Sequence, residues 1–336
     1  MIPLPTAIES NDADMEISLM RNISMVKRVL LCLMIFAPCM LLGVTVAKAQ
    51  GEPSEQDFVE YRPSARVRVI SDLAYARYGD RTLLLDLYLP SQSGQGRPGV
   101  IVVRGGGWMV NDRKRFAHVA SALAEKGIVA ACIEYRTADE AAFPGAIQDV
   151  KAAVRWMRSN ARKYGVNSEV IGTLGGSSGA QMALLAGLTA GLSEFEGDGG
   201  NSGASSNIQA VVAMATPTDL LGLSDNNKLT VGKFLHATPE ENSERWRWAS
   251  PVNHIMRGGP PVLLLHGADD DSVPISQSLD FVRKYREAGA NAEVYILPNE
   301  LPSLVQRGSR ARRNFLSKVS KGTERRLVGR SSRETP

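Results

Sequence analysis

Buried strands and amphipathic helices alternate along most of this 336-residue chain, and this alternation limits its folds more than any other feature. Residues 99–106, GVIVVRGG, form a β-branched apolar run that ends in glycines, as is typical of a strand buried on both faces. Residues 143–165 repeat apolar side chains at spacings of three and four, which predicts an amphipathic helix closed by Gly165. The alternation predicts an α/β protein with a mainly parallel twisted sheet and helices on both faces.

The remaining elements follow the same order. Strands are predicted at 65–76, 81–90, 128–135, 169–174, 208–216, 260–267 and 292–298, and helices at 113–127, 180–190 and 275–289. Residues 222–250 form a polar helical insertion between two strands, which we expect to lie over the sheet edge as a small lid. The glycine- and serine-rich stretch 191–207 is by composition typical of a mobile surface loop.

The N-terminal segment has the parts of an export signal. After Met25, two basic residues precede an apolar run, and Ala47-Lys48-Ala49 supplies the small residues that a signal peptidase requires. We therefore predict a signal segment over 1–49, with Met25 as an alternative start, cleavage after Ala49, and a secreted or periplasmic protein. An uncleaved membrane anchor is the alternative, because the apolar run is nearly long enough to span a bilayer.

One α/β domain is predicted over 65–316, after a polar linker at 50–64 and before a basic tail at 317–336. The net charge of +4 comes from the C-terminal end, because residues 307–336 hold ten Lys or Arg and two Glu, whereas the other 306 residues sum to −4. We therefore predict no nucleic-acid partner, and membrane contact only if the N-terminal segment stays uncleaved. Outside the signal the sole cysteine is Cys132, which excludes an internal disulfide in the exported chain.

A serine lies in a glycine-rich turn between a predicted strand and a predicted helix. The turn Gly175-Gly176-Ser177-Ser178-Gly179 fits the pattern G-x-S-x-G, which lifts the serine hydroxyl to the top of a sheet. The following helix directs its N-terminal amides toward an oxyanion formed there. Ser177 is the candidate nucleophile, and Ser178 is the alternative if the pattern is shifted by one residue. A turn that binds a phosphate, or nothing, is the non-catalytic alternative.

Two further loops follow predicted strands. In Arg104-Gly105-Gly106-Gly107-Trp108 the glycines let backbone amides approach a substrate, so the amides of Gly106, Gly107 and Ser178 are candidate oxyanion donors. The acidic loop 266–274, HGADDDSVP, follows the next-to-last strand, where a carboxylate can orient a catalytic imidazole. The four histidines are too scattered for a metal site, and we predict no metal and no cofactor.

In combination and order, these motifs resemble a known group. The segments RGGGW, IEYR, FPGAIQDVKAAVRWMRSNARKYG, GGSSGAQMALLAG, ASPVNH and HGADDDSVP are similar to the α/β-hydrolase fold, and within it to the lipase and esterase group of hormone-sensitive lipase and bacterial feruloyl-esterase-like carbohydrate esterases. The resemblance covers about residues 65–316 and implies a serine carboxylic-ester hydrolase. It implies an acyl-enzyme at Ser177, Asp270 as the acid, the oxyanion donors named above, and a small-molecule or polysaccharide-linked ester as substrate.

The chain departs from this group at two positions. Arg104 replaces a histidine that braces the glycine loop, and we expect the change to alter the loop shape or the choice of substrate. The group's catalytic histidine follows the last strand, where this chain has Pro302. A catalytically impaired or non-catalytic relative that binds a ligand is therefore the alternative function. A damaged gene or a sequence error at Pro302 is a third reading.

No other residue is an obvious replacement for the missing base. All four histidines, His118, His236, His254 and His266, precede the expected position. We expect three of them to be structural, with His266 tying the acidic loop by a hydrogen bond, whereas His236 lies in the insertion and is the one able to swing over the site. Glu300 is nearby, but a solvated carboxylate is a poor base for a serine hydroxyl.

Overall fold

An eight-stranded sheet organises the residues that the computed structural model describes, which are 61–297. Its strands are β1 (Val67–Tyr78), β2 (Arg81–Pro90), β3 (Arg97–Val103), β4 (Val129–Ile133), β5 (Val166–Gly176), β6 (Val211–Met214), β7 (Val262–Gly267) and β8 (Ala292–Leu297). They lie in the order β1-β2-β4-β3-β5-β6-β7-β8. Among these strands only β2 runs against its neighbours, so the predicted mainly parallel sheet is confirmed.

Helices cover both faces of the sheet. They are α1 (Ala117–Glu125), α2 (Gly145–Ser159), α3 (Ala161–Tyr164), α4 (Ser178–Leu188), α5 (Asp225–Leu235), α6 (Ser243–Trp248) and α7 (Ser276–Glu287). Alternate residues of β3 lie in different apolar clusters: Ile101 packs in the larger one with α2 and α4, and Val102 in the smaller one with α1. A strand buried on both faces has no polar face, which explains its continuous apolar run.

Two predicted helices begin or end differently in the structure. The segment predicted as one helix over 113–127 starts with a 3-10 turn at Arg113–Phe116, because the Asp112 carboxylate accepts the Lys114 amide (3.0 Å) and caps that turn. The helix predicted over 143–165 is interrupted at Asn160 between α2 and α3, and Gly165 ends it with a positive φ of 72°. The element types were predicted correctly, whereas local hydrogen bonds decided the boundaries.

The loop 191–207 lies on the surface, as predicted, and most of its residues are exposed, but it is anchored to the body at two residues. Its Phe195 is fully buried. The Glu196 carboxylate pairs with Lys151 and Arg155, two buried cations on α2. The composition of the segment does not show that a face of α2 supplies ionic partners for the loop.

The insertion 222–250 is helical, as predicted, and contains α5 and α6. It lies at the edge of the sheet where the parallel strands end. Phe234 of α5 stacks on Trp108 of the glycine loop, with ring centroids 4.9 Å apart, and Asn227 donates to the Ser272 carbonyl (2.5 Å) in the acidic loop. The insertion therefore contacts two of the three predicted site loops.

Several predictions concern parts of the chain outside the described residues. They are the signal segment 1–49, most of the linker 50–64, the C-terminal end of the domain beyond 297, and the basic tail 317–336. Within residues 61–297, no helix combines the length and the apolar character needed to cross a membrane.

Candidate active site

Ser177 occupies a sharp turn between β5 and α4. Its backbone has a positive φ, with φ 53° and ψ −125°, a combination that is unfavourable for a residue with a side chain. Its two neighbours in the turn are buried, whereas Ser177 itself is exposed. The turn thus presents one serine side chain at the carboxyl edge of the sheet, and Ser178, the alternative in the sequence, points inward with 1% exposure.

Glycines permit this turn because the backbone of α4 passes very close to the strands. A Cβ atom on Gly175 would lie 2.2 Å from the Gly179 carbonyl oxygen, and one on Gly179 would lie 2.3 Å from the Val103 carbonyl oxygen. Neither distance is compatible with a side chain. The pattern G-x-S-x-G therefore reflects contacts between β3, β5 and α4, which together set the position of Ser177.

The glycine loop lies directly against the serine turn. A Cβ atom on Gly105 would lie 2.4 Å from the Gly176 carbonyl oxygen and 3.0 Å from the Cβ of Ser177. The next residues, Gly106 and Gly107, have φ values of 149° and 60°, which favour glycine. The loop after β3 is thereby held within contact distance of the candidate nucleophile.

The three predicted oxyanion donors lie together, but they are not equivalent. The Gly106 amide donates to the buried Ser178 hydroxyl (3.0 Å), so this N–H is engaged. The amides of Gly107 and Ser178 donate to no acceptor within residues 61–297. These two amides are the ones available to an oxyanion.

One residue that supports the loop was missed by the sequence analysis. Gln181 on α4 accepts a hydrogen bond from the Trp108 indole (3.0 Å) and donates to the Ala249 carbonyl (2.7 Å). It thereby connects the glycine loop to the end of the insertion. The available signal was a single amide side chain in the otherwise apolar segment AQMALLAGL, four residues after Ser177.

Asp270 is the buried carboxylate of the acidic loop. It is 8% exposed, whereas Asp269 and Asp271 on either side are exposed. One carboxylate oxygen, Oδ1, accepts the amides of Ser272 (3.0 Å) and Val273 (2.8 Å), which fixes the side chain. The structure thus distinguishes Asp270 from its neighbours by burial and by hydrogen bonding.

His266 holds the acidic loop in place. Its Nε2 lies 2.7 Å from the Val273 carbonyl oxygen, and its Nδ1 lies 2.7 Å from the Ser278 hydroxyl. The Asp270 Oδ2 is 3.6 Å from the same Nε2. The predicted hydrogen bond between His266 and the acidic loop is present. It occupies Nε2, and the contact with Ser278 occupies Nδ1.

The other histidines are bound elsewhere. The Nε2 atoms of His236 and His254 lie 2.7 Å from the backbone carbonyl oxygens of Ala138 and Trp248. Burial lowers the pKa of His254 and outweighs its hydrogen bond to Trp248. His118 is on α1, with its ring in edge contact with Phe116. Pro302, at the expected histidine position, and Glu300 lie outside the described residues.

No group of three or more potential metal ligands occurs among residues 61–297.

Comparison with known proteins identifies the family. The BD-FAE family profile matches residues 85–285, a span that includes the glycine loop, Ser177 and Asp270.

The chain belongs to the BD-FAE family.

Known relatives of this BD-FAE chain are esterases. It is 31% identical to Esterase LipC of Mycobacterium tuberculosis over 77% of this chain and 68% of LipC. It is 32% identical to Esterase LipQ of the same organism over 68% of this chain and 56% of LipQ, so it spans about half to two thirds of these relatives. A solved structure, the truncated form of a carbohydrate esterase from gut microbiota, superposes with a TM-score of 0.67 at 27% identity, over 77% of this chain and 98% of that one. The predicted α/β-hydrolase fold and esterase group are confirmed.

Proposed function

We propose that this BD-FAE member is a serine carboxylic-ester hydrolase that works through an acyl-enzyme at Ser177. The observation that carries the proposal is the exposed Ser177 side chain on a strained turn with a positive φ, held against the glycine loop. Strain at a non-glycine residue persists where the surrounding structure enforces it, and such positions cluster at active sites. The esterase relatives support the same reaction class.

In the proposed reaction the Ser177 oxygen attacks the ester carbonyl carbon, and the carbonyl electron pair moves onto oxygen. The amides of Gly107 and Ser178 receive this oxyanion, together with the positive N-terminal end of α4. The bond to the alcohol oxygen breaks as the proton lost by Ser177 passes to that oxygen, and the alcohol leaves; water then adds to the acyl carbon, a proton returns to Ser177, and the acid is released. Asp270 would orient and stabilise the imidazole of a histidine introduced at position 302, as the acid does in serine hydrolases.

The alternative is a catalytically impaired or non-catalytic relative that keeps the pocket to bind a ligand. Two observations favour it: Pro302 stands where the base is expected, and His236, His254 and His266 each have Nε2 on a backbone carbonyl. Without a base, the oxyanion donors and substrate binding retain roughly 10³- to 10⁴-fold acceleration over water, and roughly 10⁶ in kcat is lost. The two functions therefore differ greatly in turnover.

We further propose that the substrate is a small-molecule or polysaccharide-linked ester and that the protein acts after export, in the periplasm or outside the cell. The match to a carbohydrate esterase supports the first part, and the segment 1–49 supports the second. No metal or cofactor is required by the reaction as written.

The test compares the purified full chain with Ser177→Ala. Hydrolysis of 4-nitrophenyl acetate is measured for both, with Ser193→Ala as a control because this serine is exposed in the loop 191–207. Turnover well above the Ser177→Ala rate, unchanged in Ser193→Ala, supports the serine hydrolase. Equal rates for the full chain and Ser177→Ala would reject it in favour of the ligand-binding relative.

A further inference from the structure

Arg104 places a buried guanidinium beside the glycine loop with no partner among residues 61–297. The side chain is 8% exposed, and its Nη1 is buried without a hydrogen-bond partner. No ion pair or hydrogen bond to this guanidinium occurs in the described part of the chain. An unpaired buried charge destabilises a folded protein, so such a group needs an explanation.

The guanidinium lies against the glycine loop that carries the candidate oxyanion donors. Arg104 directly precedes Gly105, which lies against Ser177, and its Nη1 is 3.0 Å from the position of a Cβ on Gly106. The Tyr135 hydroxyl lies within hydrogen-bond distance of two carbonyl oxygens, that of Arg104 (3.2 Å) at the start of the loop and that of Val110 (2.7 Å) at its end. The backbone that carries Arg104 is thereby fixed.

The neighbouring charges do not neutralise Arg104. The carboxylate of Asp112 caps the Lys114 amide and lies 3.4 Å from the Nε of Arg115. Burial, and then the positive charge of Arg115, hold the pKa of Arg104 below its usual value. A guanidinium nevertheless stays charged at neutral pH, and no carboxylate within residues 61–297 forms an ion pair with it.

We propose that Arg104 forms an anion subsite next to the oxyanion donors and selects esters that carry a carboxylate near the scissile bond. Nη1 is sealed from solvent, so a carboxylate would pair with Nε and Nη2, which have no acceptor within residues 61–297. The planar guanidinium matches a carboxylate with two parallel hydrogen bonds. The subsite rests on the proposed function, because it is defined by its position next to Ser177. It also gives a role to Arg104, which stands where the sequence resemblance implies a bracing histidine: within residues 61–297 its guanidinium makes no hydrogen bond that braces the loop.

The test uses two esters of the same shape. In methyl hemisuccinate a carboxylate occupies the place of the isopropyl group of methyl 4-methylpentanoate. Their binding to the full chain carrying Ser177→Ala, which prevents hydrolysis, is measured by calorimetry. We expect the anionic ester to bind about tenfold more tightly or better, as for hydrogen bonds between charged groups.

Variants at and near Arg104 separate a local site from a general charge effect. Arg104→Gln should abolish the preference and Arg104→Lys should keep part of it. Lys114→Gln removes one exposed positive charge from the adjacent turn and should leave the preference unchanged. Equal binding of the two esters, or an equal loss in Arg104→Gln and Lys114→Gln, would overturn the subsite while leaving the proposed ester site intact. Binding of neither ester would overturn both.

Stability gives an independent readout. If Arg104 serves a ligand, Arg104→Met removes an uncompensated buried charge, and the Tm of the ligand-free protein should equal or exceed that of the unmodified chain. If Arg104 has a purely structural role, the Tm of Arg104→Met should be lower than that of the unmodified chain. A lower Tm for Arg104→Met would show that the side chain stabilises the resting fold and would overturn the subsite.

Discussion

Replacing Glu196 by alanine tests the finding that the loop 191–207 is anchored by charge. The Glu196 carboxylate lies 2.8 Å from the Lys151 Nζ and 3.2 Å from the Arg155 Nη1. These cationic side chains are 0% and 4% exposed. The substitution leaves both cations buried without an anionic partner in the described part of the chain.

The cost follows from what remains after the substitution. Lys151 keeps its hydrogen bond to the Thr189 carbonyl (2.6 Å), and Arg155 keeps the backbone carbonyl of residue 196 (2.8 Å), so the loss is mainly electrostatic. Breaking a fully buried pair costs about 3–5 kcal/mol, but Glu196 is 32% exposed and partly screened by solvent, so we expect about 2–3 kcal/mol. At about 2–4 °C per kcal/mol for a domain of this size, the Tm falls by roughly 5–10 °C.

The free energy of unfolding is measured by urea titration and the Tm by circular dichroism. Glu194→Ala is the matched control, because Glu194 is exposed in the same turn and its carboxylate accepts only a hydrogen bond from Ser193 among residues 61–297. The double variant Lys151→Met with Glu196→Leu should be more stable than Glu196→Ala. A loss below about 1 kcal/mol, or one equal to that of Glu194→Ala, would refute the anchoring role.

The effect should also depend on pH. Burial opposes the charge of Glu196, but hydrogen bonds from Lys151 and Ser206 and the charges of Lys151 and Arg155 outweigh it and lower the pKa of Glu196. A lowered folded pKa means that the stabilisation is complete above the unfolded pKa, about 4.3, and is lost as the pH falls through the folded value. The stability difference between the unmodified chain and Glu196→Ala should therefore shrink in acid below about pH 4.

Two further predictions concern catalysis by the proposed site. Pro302→His should raise kcat for 4-nitrophenyl acetate by roughly 10³-fold or more, because it supplies the base, and no gain would contradict the assignment of this position. Gly105→Ala places a Cβ 2.4 Å from the Gly176 carbonyl oxygen and displaces the loop, so kcat/KM should fall roughly 10²-fold. Gly203→Ala, which has open space around its Cβ, is the control, and a fall below about threefold in Gly105→Ala would disprove a rigid contact.

Much of the fold could be predicted because its signals are local. The run 99–106 and the helix around Val150 bury faces whose periodicity is visible in the sequence. The serine turn was equally visible, because glycines at 175 and 179 are required by backbone contacts that admit no side chain. Boundaries were less accurate, as at Asp112, where one side-chain hydrogen bond decides whether a turn or a helix begins.

The sequence predicted which residues form the candidate site, but it did not predict the hydrogen bonds that hold them in place. Ser177 and Asp270 were chosen from motifs, but the engagement of the Gly106 amide by Ser178 depends on residues 72 positions apart. The support of Trp108 by Gln181 joins residues 73 positions apart. No periodicity or spacing rule encodes such pairs.

The sequence by itself determined the α/β architecture and the place of the serine turn, and it identified the unusual Arg104 and Pro302. These conclusions rest on short-range sterics and on the burial pattern of single elements. Only the tertiary structure decided that the loop 191–207 is held by buried charges and that Arg104 has no partner within residues 61–297. Both are properties of charge at a buried position, and burial is set by which distant segments pack together.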